Sequence, residues 1–343
     1  MPTIGEVAKR AGVGIATVSR TLHDNPRVSP ETAARVRRVM EELGYRPNTN
    51  AQSLVSGRSR MFGLVVSDIT NPFFPELVKG FQDLASQNGY DVLVASTNYD
   101  TARMAMSVGR MIERKVDGVA IMTSEIDRAL TDQLSSRNVP LVFLDVGKVS
   151  KGVSNVKVDY ACGITEAVNH LLSLGHKHIA FVSGPAALTS ARVRRTTFLS
   201  CLKQHGISER LVEEGNHKID GGVRAIARLL RRRDPPTAVL ASNDQTAIGV
   251  LSGIRQAGLH VPDDISVVGF DDIDMAGFTE PPLTTVRLAR TELADLACKA
   301  LLASMRGSRM GRELRMTTSL VIRESTARVS PKSVRHLTSA QHS

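Results

Sequence analysis

From residue 61 onward, short β-rich runs recur at 62–67, 91–96, 118–122, 141–144, 178–182, 238–241 and 266–270, separated by helical stretches of roughly 10 to 18 residues. This alternation restricts that part of the chain to parallel sheets. Parallel neighbours need a long crossover, and a helix packed on the sheet face supplies it. Some 270 residues of such pattern exceed one sheet, so two lobes are expected, with a ligand at the carboxyl ends of the strands.

The first sixty residues read differently. The chain of 343 residues carries a formal charge of +10, and residues 1–60 hold ten Lys/Arg against five Asp/Glu, leaving 34 against 29 for the rest. Half the excess positive charge thus sits in the first sixth of the chain, as expected of a nucleic-acid-binding module. Thr3 and Glu6 form a capping-box pattern, and Ile4, Val7, Ala8 and Ala11 share one helical face. Gly12 stops this helix, and a second runs from about Ile15 to Leu22 with Val18 and Leu22 inward. Ser29, Pro30 and Gly44 punctuate a third, with Val36, Val39, Met40 and Leu43 as its apolar stripe. Two short helices around a glycine, with small Ala8 at the crossing, make a helix-turn-helix pattern. The outward Thr17 and Ser19 suit phosphate oxygens, and Arg20 suits guanine O6 and N7. The run Gly12-Val13-Gly14 is not a dinucleotide loop, because no strand precedes it and no third glycine follows.

Residues 47–57 predict a helix of about two turns between Pro47 and Gly57, with Leu54 lacking an intramolecular core to enter. So short a helix persists only when something packs on it. With Val7-Ala8, Ala11-Gly12-Val13, Thr17-Val18-Ser19-Arg20, Val28-Ser29, Gly44-Tyr45, Pro47-Asn48, Ala51 and Leu54, the segment resembles the DNA-binding head of the lac-repressor (LacI/GalR) family of bacterial transcription regulators. The resemblance implies that the second helix enters the major groove, with Ile15, Ala16 and Arg20 facing bases. It also implies that hinge helices of two subunits pair in the minor groove, with Leu54 wedging a base step; such a wedge kinks the duplex. Thr3, Asn48 and Ala51 complete the candidate DNA-binding set.

The resemblance extends through 68–74, 174–176, 243–244, 268–272 and 281–286, so it covers nearly the whole chain. It implies an all-α helix-turn-helix head plus an α/β two-lobed core of the type I periplasmic-binding-protein kind. The expected division is 1–47 for the head, 48–60 for the hinge helix and linker, 61–330 for the effector-binding and dimerisation core, and 331–343 for a disordered tail. The lobes would take about 61–157 with 289–316, and about 160–285 with 317–328, linked by three crossings near 157–161, 285–289 and 315–319. Asn71, Asp145, Asn243 and Asp271 each follow a predicted strand, where carboxylates and amides suit a polyhydroxylated ligand. Arg194 matches the family's effector-contacting arginine. His217 stands where a ligand-stacking aromatic is frequent, Thr197 where a glycine is usual, and Leu288 where a polar residue is frequent. The chain has no Trp, so Phe73, Phe74 or His217 must supply any stacking platform. Arg192, Arg194 and Arg195 together favour an anionic effector, so a sugar, sugar acid or sugar phosphate is expected.

Cys162, Cys201 and Cys298 are dispersed and odd in number, which supports neither a zinc site nor a disulfide framework and fits a reducing cytoplasm. Neither an export signal nor a membrane span is legible. Asp271-Asp272 lacks a partnered nucleophile or metal cluster, so no enzyme, cofactor or metal is expected. The tail has no leucine heptads; a homodimer on a pseudo-palindromic duplex is expected instead. The rival is a solute-binding receptor on the same core fold, which would carry an export signal and no helix-turn-helix.

Overall fold

The computed structural model describes residues 2–22, 24–46, 57–123, 139–145, 148–207, 211–306 and 310–329. The expected hinge helix, with Asn48, Ala51 and Leu54, and the expected disordered tail lie outside the described residues. The chain divides into two compact units, Met1–Ser59 and Arg60–Ser343.

The first unit contains α1 (Ile4–Ala11), α2 (Ile15–Leu22) and α3 (Pro30–Leu43). Its helix ends follow from local chemistry. Thr3 Oγ1 accepts from the Glu6 amide while Glu6 Oε2 accepts from the Thr3 amide, so two orphan donors of α1 are satisfied reciprocally. Gly12 ends α1 in the left-handed region at φ 66°, and its successor's amide bonds back to the Ala8 carbonyl. Ser29 caps α3, Pro30 opens it, and Gly44 closes it at φ 60°. Val7, Ala8, Ala11, Val18, Val36 and Val39 form the core. The expectation for α2 needs one correction: Thr21, not Leu22, goes inward beside Val18, and Leu22 is half-buried. A hydroxyl can occupy that position because Thr21 Oγ1 donates to the Thr17 carbonyl 2.9 Å away.

The second unit holds two six-stranded sheets. The N-terminal lobe contains β1 (Met61–Val66), β2 (Asp91–Ser96), β3 (Gly118–Met122), β4 (Leu141–Leu144), β5 (Val153–Asp159) and β11 (Glu313–Thr317), in the order β11-β5-β4-β3-β1-β2 and parallel throughout. The C-terminal lobe contains β6 (Ile179–Ser183), β7 (Leu211–Glu214), β8 (Ala238–Ala241), β9 (Ser266–Asp271), β10 (Thr284–Arg287) and β12 (Ser319–Val321), in the order β12-β10-β9-β8-β6-β7. Only β12 runs antiparallel to its neighbour. Strands β3, β4, β6, β8 and β9 are buried along their whole length, the reason they read as largely apolar runs, with Ser183, Ser266 and Asp271 only at strand ends. Strands β5, β7, β10, β11 and β12 were not among the predicted runs, because polar residues interrupt them: β5 reads Val-Ser-Asn-Val-Lys-Val-Asp, β7 ends in Glu213-Glu214, β10 reads Thr-Thr-Val-Arg, β11 Glu-Leu-Arg-Met-Thr and β12 Ser-Leu-Val.

Helices α4 (Phe73–Gln87), α5 (Thr101–Glu113) and α10 (Arg290–Met305) belong to the N-terminal lobe, and α6 (Tyr160–Ser173), α7 (Thr189–Gln204), α8 (Ile219–Leu230) and α9 (Asp244–Gln256) to the C-terminal lobe. The chain crosses between lobes after β5, after β10 and between β11 and β12. The crossings meet around Gly163, where a Cβ would fall 2.3 Å from Val286 Cγ1 and 2.8 Å from Thr318 Oγ1. Thr318 Oγ1 itself accepts from the Gly163 amide and donates to the Asp159 carbonyl. This tight, hydrogen-bonded knot leaves the strand ends of both lobes facing a common cleft.

Candidate functional site

In the first unit, the exposed side of α2 carries Ile15, which is 55% exposed, together with Ala16 and Arg20, while Thr17 and Ser19 are half-buried. The first turn of α2 has no acidic residue, so its amide-rich, positive end is not masked by a carboxylate and suits a phosphate. Thr3 is engaged as the cap of α1.

In the second unit, the carboxyl ends of both sheets line a cleft of about 570 Å³, a volume that includes open solvent at its mouth. Asn71, Phe73, Phe74, Arg194, His217, Asn243 and Asp271, all singled out in sequence, line it together. Asp145 does not. Its Oδ1 accepts from the Val158 amide at 2.8 Å and its Oδ2 from the Tyr160 hydroxyl at 2.6 Å. One oxygen is therefore taken by the Val158 amide and the other by Tyr160, and Tyr160 lines the cleft in place of Asp145. Ser67, Tyr99, Met122, Thr123 and Leu144 also line the wall. They stand at or just past the ends of β1 to β4, so the strand-end rule reaches them as readily as it reaches Asn71. Tyr160, Leu188 and Ser190 had no such signal. Leu288, buried, adds an apolar surface where the resemblance implied a polar one.

Each polar residue is held by the local fold. Asn71 accepts from the Phe73 amide at the start of α4, which sets the two phenylalanines edge to face at 5.2 Å. Asn243 caps α9 by accepting from the Thr246 amide, and its Nδ2 donates to the His217 carbonyl. His217 has φ 61°, and its ring lies where a Cβ on Gly184 would come within 1.8 Å of Nε2; only glycine fits there. Burial, with the nearby Arg194 charge, lowers the His217 pKa to about 3, so the ring is neutral at physiological pH, and Nε2 is buried without a hydrogen-bond partner among the described residues.

The floor of the cleft is an arginine between two rings. The Arg194 guanidinium carbon lies 3.8 Å from the Phe270 ring centre and 4.8 Å from that of Tyr160. One of its nitrogens donates to the Ser242 carbonyl, Nη2 stands 3.8 Å from Asp271 Oδ1, and Nε is buried without a hydrogen-bond partner among the described residues. Arg192 and Arg195 point elsewhere: both are exposed, and Arg192 is tied to the Ala186 and Ala187 carbonyls and to Thr189. Asp271 has φ 114° and Asp272 φ 56°, two successive non-glycine residues in a costly region, about 1–3 kcal/mol each. Burial pushes the Asp271 carboxyl up to about 6, against the pull of Arg194 and Arg290. Asp244, buried behind it, is raised well above the ordinary carboxyl range, first by burial and then by Asp271. Burial would also raise Asp272, but ion pairs with Arg287 and Arg323 overcome it and hold that carboxylate below its ordinary range.

Residues 3–48 match the family model described as bacterial regulatory proteins, lacI family, and residues 168–326 match that of a periplasmic binding protein-like domain. The transcriptional regulator DegA of Bacillus subtilis is 34% identical over 331 residues, covering 95% of this chain and 98% of the relative. The lac repressor dimer bound to operator and the anti-inducer ONPF superposes with a TM-score of 0.86 at 30% identity, covering 95% of this chain and 99% of that one. A LacI family regulator from Enterococcus faecium with bound ribose superposes with a TM-score of 0.72 at 30% identity, covering 79% and 100%. No described helix is long and apolar enough to cross a membrane. The chain belongs to the lacI family of bacterial regulatory proteins, and it is a DNA-binding transcriptional regulator controlled by a small molecule held between its two α/β lobes.

Proposed function

We propose that the protein is a homodimeric repressor that binds a pseudo-palindromic duplex in the cytoplasm and takes a neutral, monosaccharide-sized polyol in its cleft. The observation that carries the ligand class is the Arg194–Asp271 pair. One guanidinium and one carboxylate face each other, and His217 is neutral, so the floor is balanced in charge. An anion would meet Asp271 at close range. Vicinal hydroxyls, which both donate and accept, match a carboxylate that accepts no hydrogen bond from a described residue and the two buried, unpartnered nitrogens of Arg194 and His217. Phe73, Phe74, Tyr160 and Leu288 cover the apolar faces of a pyranose or furanose ring. The bound ribose of the Enterococcus faecium neighbour is of this class. The three-arginine run, which in sequence favours a sugar acid or phosphate, brings only one guanidinium to the cleft.

Ile15, Ala16 and Arg20 would read base edges, with Thr17 and Ser19 on phosphates; Thr3 acts as the helix cap. The hinge residues Asn48, Ala51 and Leu54 would pair across the dimer in the minor groove. Ligand binding changes lobe closure, and closure permits or forbids hinge pairing. A coupling of about 1–3 kcal/mol alters operator affinity five- to 150-fold. No catalysis is assigned to Asp271-Asp272, since Asp272 is engaged by two arginines.

The test is a thermal-shift screen of the full-length protein against neutral sugars, sugar acids, sugar phosphates and nucleobases, followed by gel shifts with the hits. A ligand at 100 times its Kd adds about 2.7 kcal/mol. Neutral sugars are expected to raise the melting point and change duplex affinity. A response confined to anionic compounds would overturn the ligand class.

A further inference from the structure

We propose that Arg290 is a positioning residue of the ligand switch: it clasps the two lobes together by holding the backbone that carries Asp271 against Glu76 of the opposite lobe. The inference concerns the regulation of the cleft and is independent of which ligand the cleft takes.

Arg290 opens α10, and Glu76 lies in the first turn of α4; both helices belong to the N-terminal lobe. One turn further along each helix, a Cβ on Gly80 would fall 3.2 Å from Ala294 Cβ. That close approach draws the helices together and sets Glu76 opposite Arg290 at the end nearest the cleft. Arg290 Nε donates to Glu76 Oε2 at 2.5 Å. The other edge of the guanidinium reaches into the C-terminal lobe. Nη1 donates to the Asp271 carbonyl at 2.9 Å and the Asp272 carbonyl at 2.6 Å, and Nη2 lies 3.5 Å from Asp274 Oδ1. The side chain is only 9% exposed.

The residue type follows from the geometry. One group must satisfy a carboxylate on one edge and two carbonyls on another, which a planar fork of donors does and a single ammonium does not. The carbonyls converge on one nitrogen where two consecutive residues take left-handed backbone, at Asp271 and Asp272. Asp271 therefore faces both ways: its carboxylate meets Arg194 in the cleft, and its carbonyl is gripped by Arg290. A ligand that moves the carboxylate strains the clasp. Lobe opening that breaks the clasp frees Asp271 to leave its strained backbone. The clasp is thus a discrete contact made in one lobe arrangement and lost in another, the kind of element an allosteric equilibrium needs.

The experiment uses the full-length protein and, as operator probe, a duplex that the unmodified protein selects from a randomised library. Arg290→Met, Glu76→Gln, the double variant and Arg290→Lys are compared for duplex affinity and for melting temperature. Arg290→Met is expected to change duplex affinity at least fivefold, and Glu76→Gln to change it in the same direction. The double variant should go no further than Arg290→Met alone, and Arg290→Lys should restore only part. Duplex affinity within twofold of the unmodified protein, with only the melting temperature lowered, would overturn the proposal, as would additive effects of the two single changes. If Arg290→Met does not fold, Glu76→Gln decides alone, because it keeps the arginine and its carbonyl contacts; an unchanged affinity there also overturns the clasp.

Discussion

Arg194 Nη2 and Asp271 Oδ1 stand 3.8 Å apart, with both side chains less than a tenth exposed. The spacing exceeds a hydrogen bond, so each charge screens the other while both keep hydrogen-bonding capacity for a guest. The arrangement carries a cost in stability, because burial raises the Asp271 pKa from 3.8 to about 6.

That cost sets the first prediction. A carboxyl whose folded-state value is raised favours folding below its unfolded value and loses that contribution as pH rises through the folded value. At pH 7.5 the folded protein therefore bears an ionised group it would rather keep neutral. Asparagine tolerates the left-handed backbone at this site. Asp271→Asn should stabilise the protein by about 1–3 kcal/mol at pH 7.5, the gain fading toward pH 4, while abolishing the ligand-induced thermal shift. Urea unfolding at both pH values checks it; equal stability of the two proteins at pH 7.5 would count against a raised Asp271.

His217 works in the opposite direction. Its folded-state value is lowered from 6.5 to about 3 by burial and by Arg194. The stability this contributes is present above pH 6.5 and is lost as pH falls toward 3, because the unfolded chain takes up a proton that the folded ring refuses. His217→Asn should flatten the pH dependence of stability between pH 6.5 and 4 by up to about 1.4 kcal/mol per pH unit. Parallel slopes for the two proteins would show that the ring titrates freely.

Arg20 sits exposed on α2 between half-buried Ser19 and buried Thr21. Arg20→Ala is expected to weaken binding to the selected duplex by about 1–3 kcal/mol and to relax base preference at one position per half-site. The check is a competition series over all single-base changes. A loss of equal size on every sequence would reassign Arg20 to a phosphate.

Leu54 is expected to act as a wedge, and burial of one leucine contributes about 1.5–3 kcal/mol. Leu54→Ala should reduce duplex affinity roughly tenfold or more and diminish the bend, leaving ligand affinity unchanged. Circular-permutation mobility shifts read the bend directly, and a bend of undiminished size would remove the wedge.

Much of this molecule is decided within a few residues of chain. The capping box at Thr3 and Glu6, the glycine stop at Gly12, and the Ser29, Pro30 and Gly44 punctuation of α3 are hydrogen-bond and backbone requirements that any three-helix arrangement must meet locally. The buried strands are legible for a similar reason: both faces are covered, so their central positions are apolar and polar residues such as Ser183, Ser266 and Asp271 fall at the ends. Strand β7 escapes that logic because it ends in two glutamates, and β5 because the polar pair Ser154-Asn155 breaks its apolar run and leaves only a short alternation from Asn155 to Asp159. Strand ends point to one edge of each sheet, which is why Asn71, Asn243 and Asp271 could be singled out together.

Whether a polar group at that edge stays open to a ligand depends on residues distant in sequence. Asp145 and Asp271 follow strands in the same way, yet Tyr160 captures the first, while the second is left facing Arg194. Among three neighbouring arginines, the turn of α7 carries one inward and two out. Arg290 gives no signal in the sequence, because its partners, Glu76 and the Asp271 carbonyl, arrive from two different lobes. Helix caps and apolar periods are short-range and are written in the chain; the satisfaction of a buried charge is a three-dimensional matter, settled only when the lobes meet.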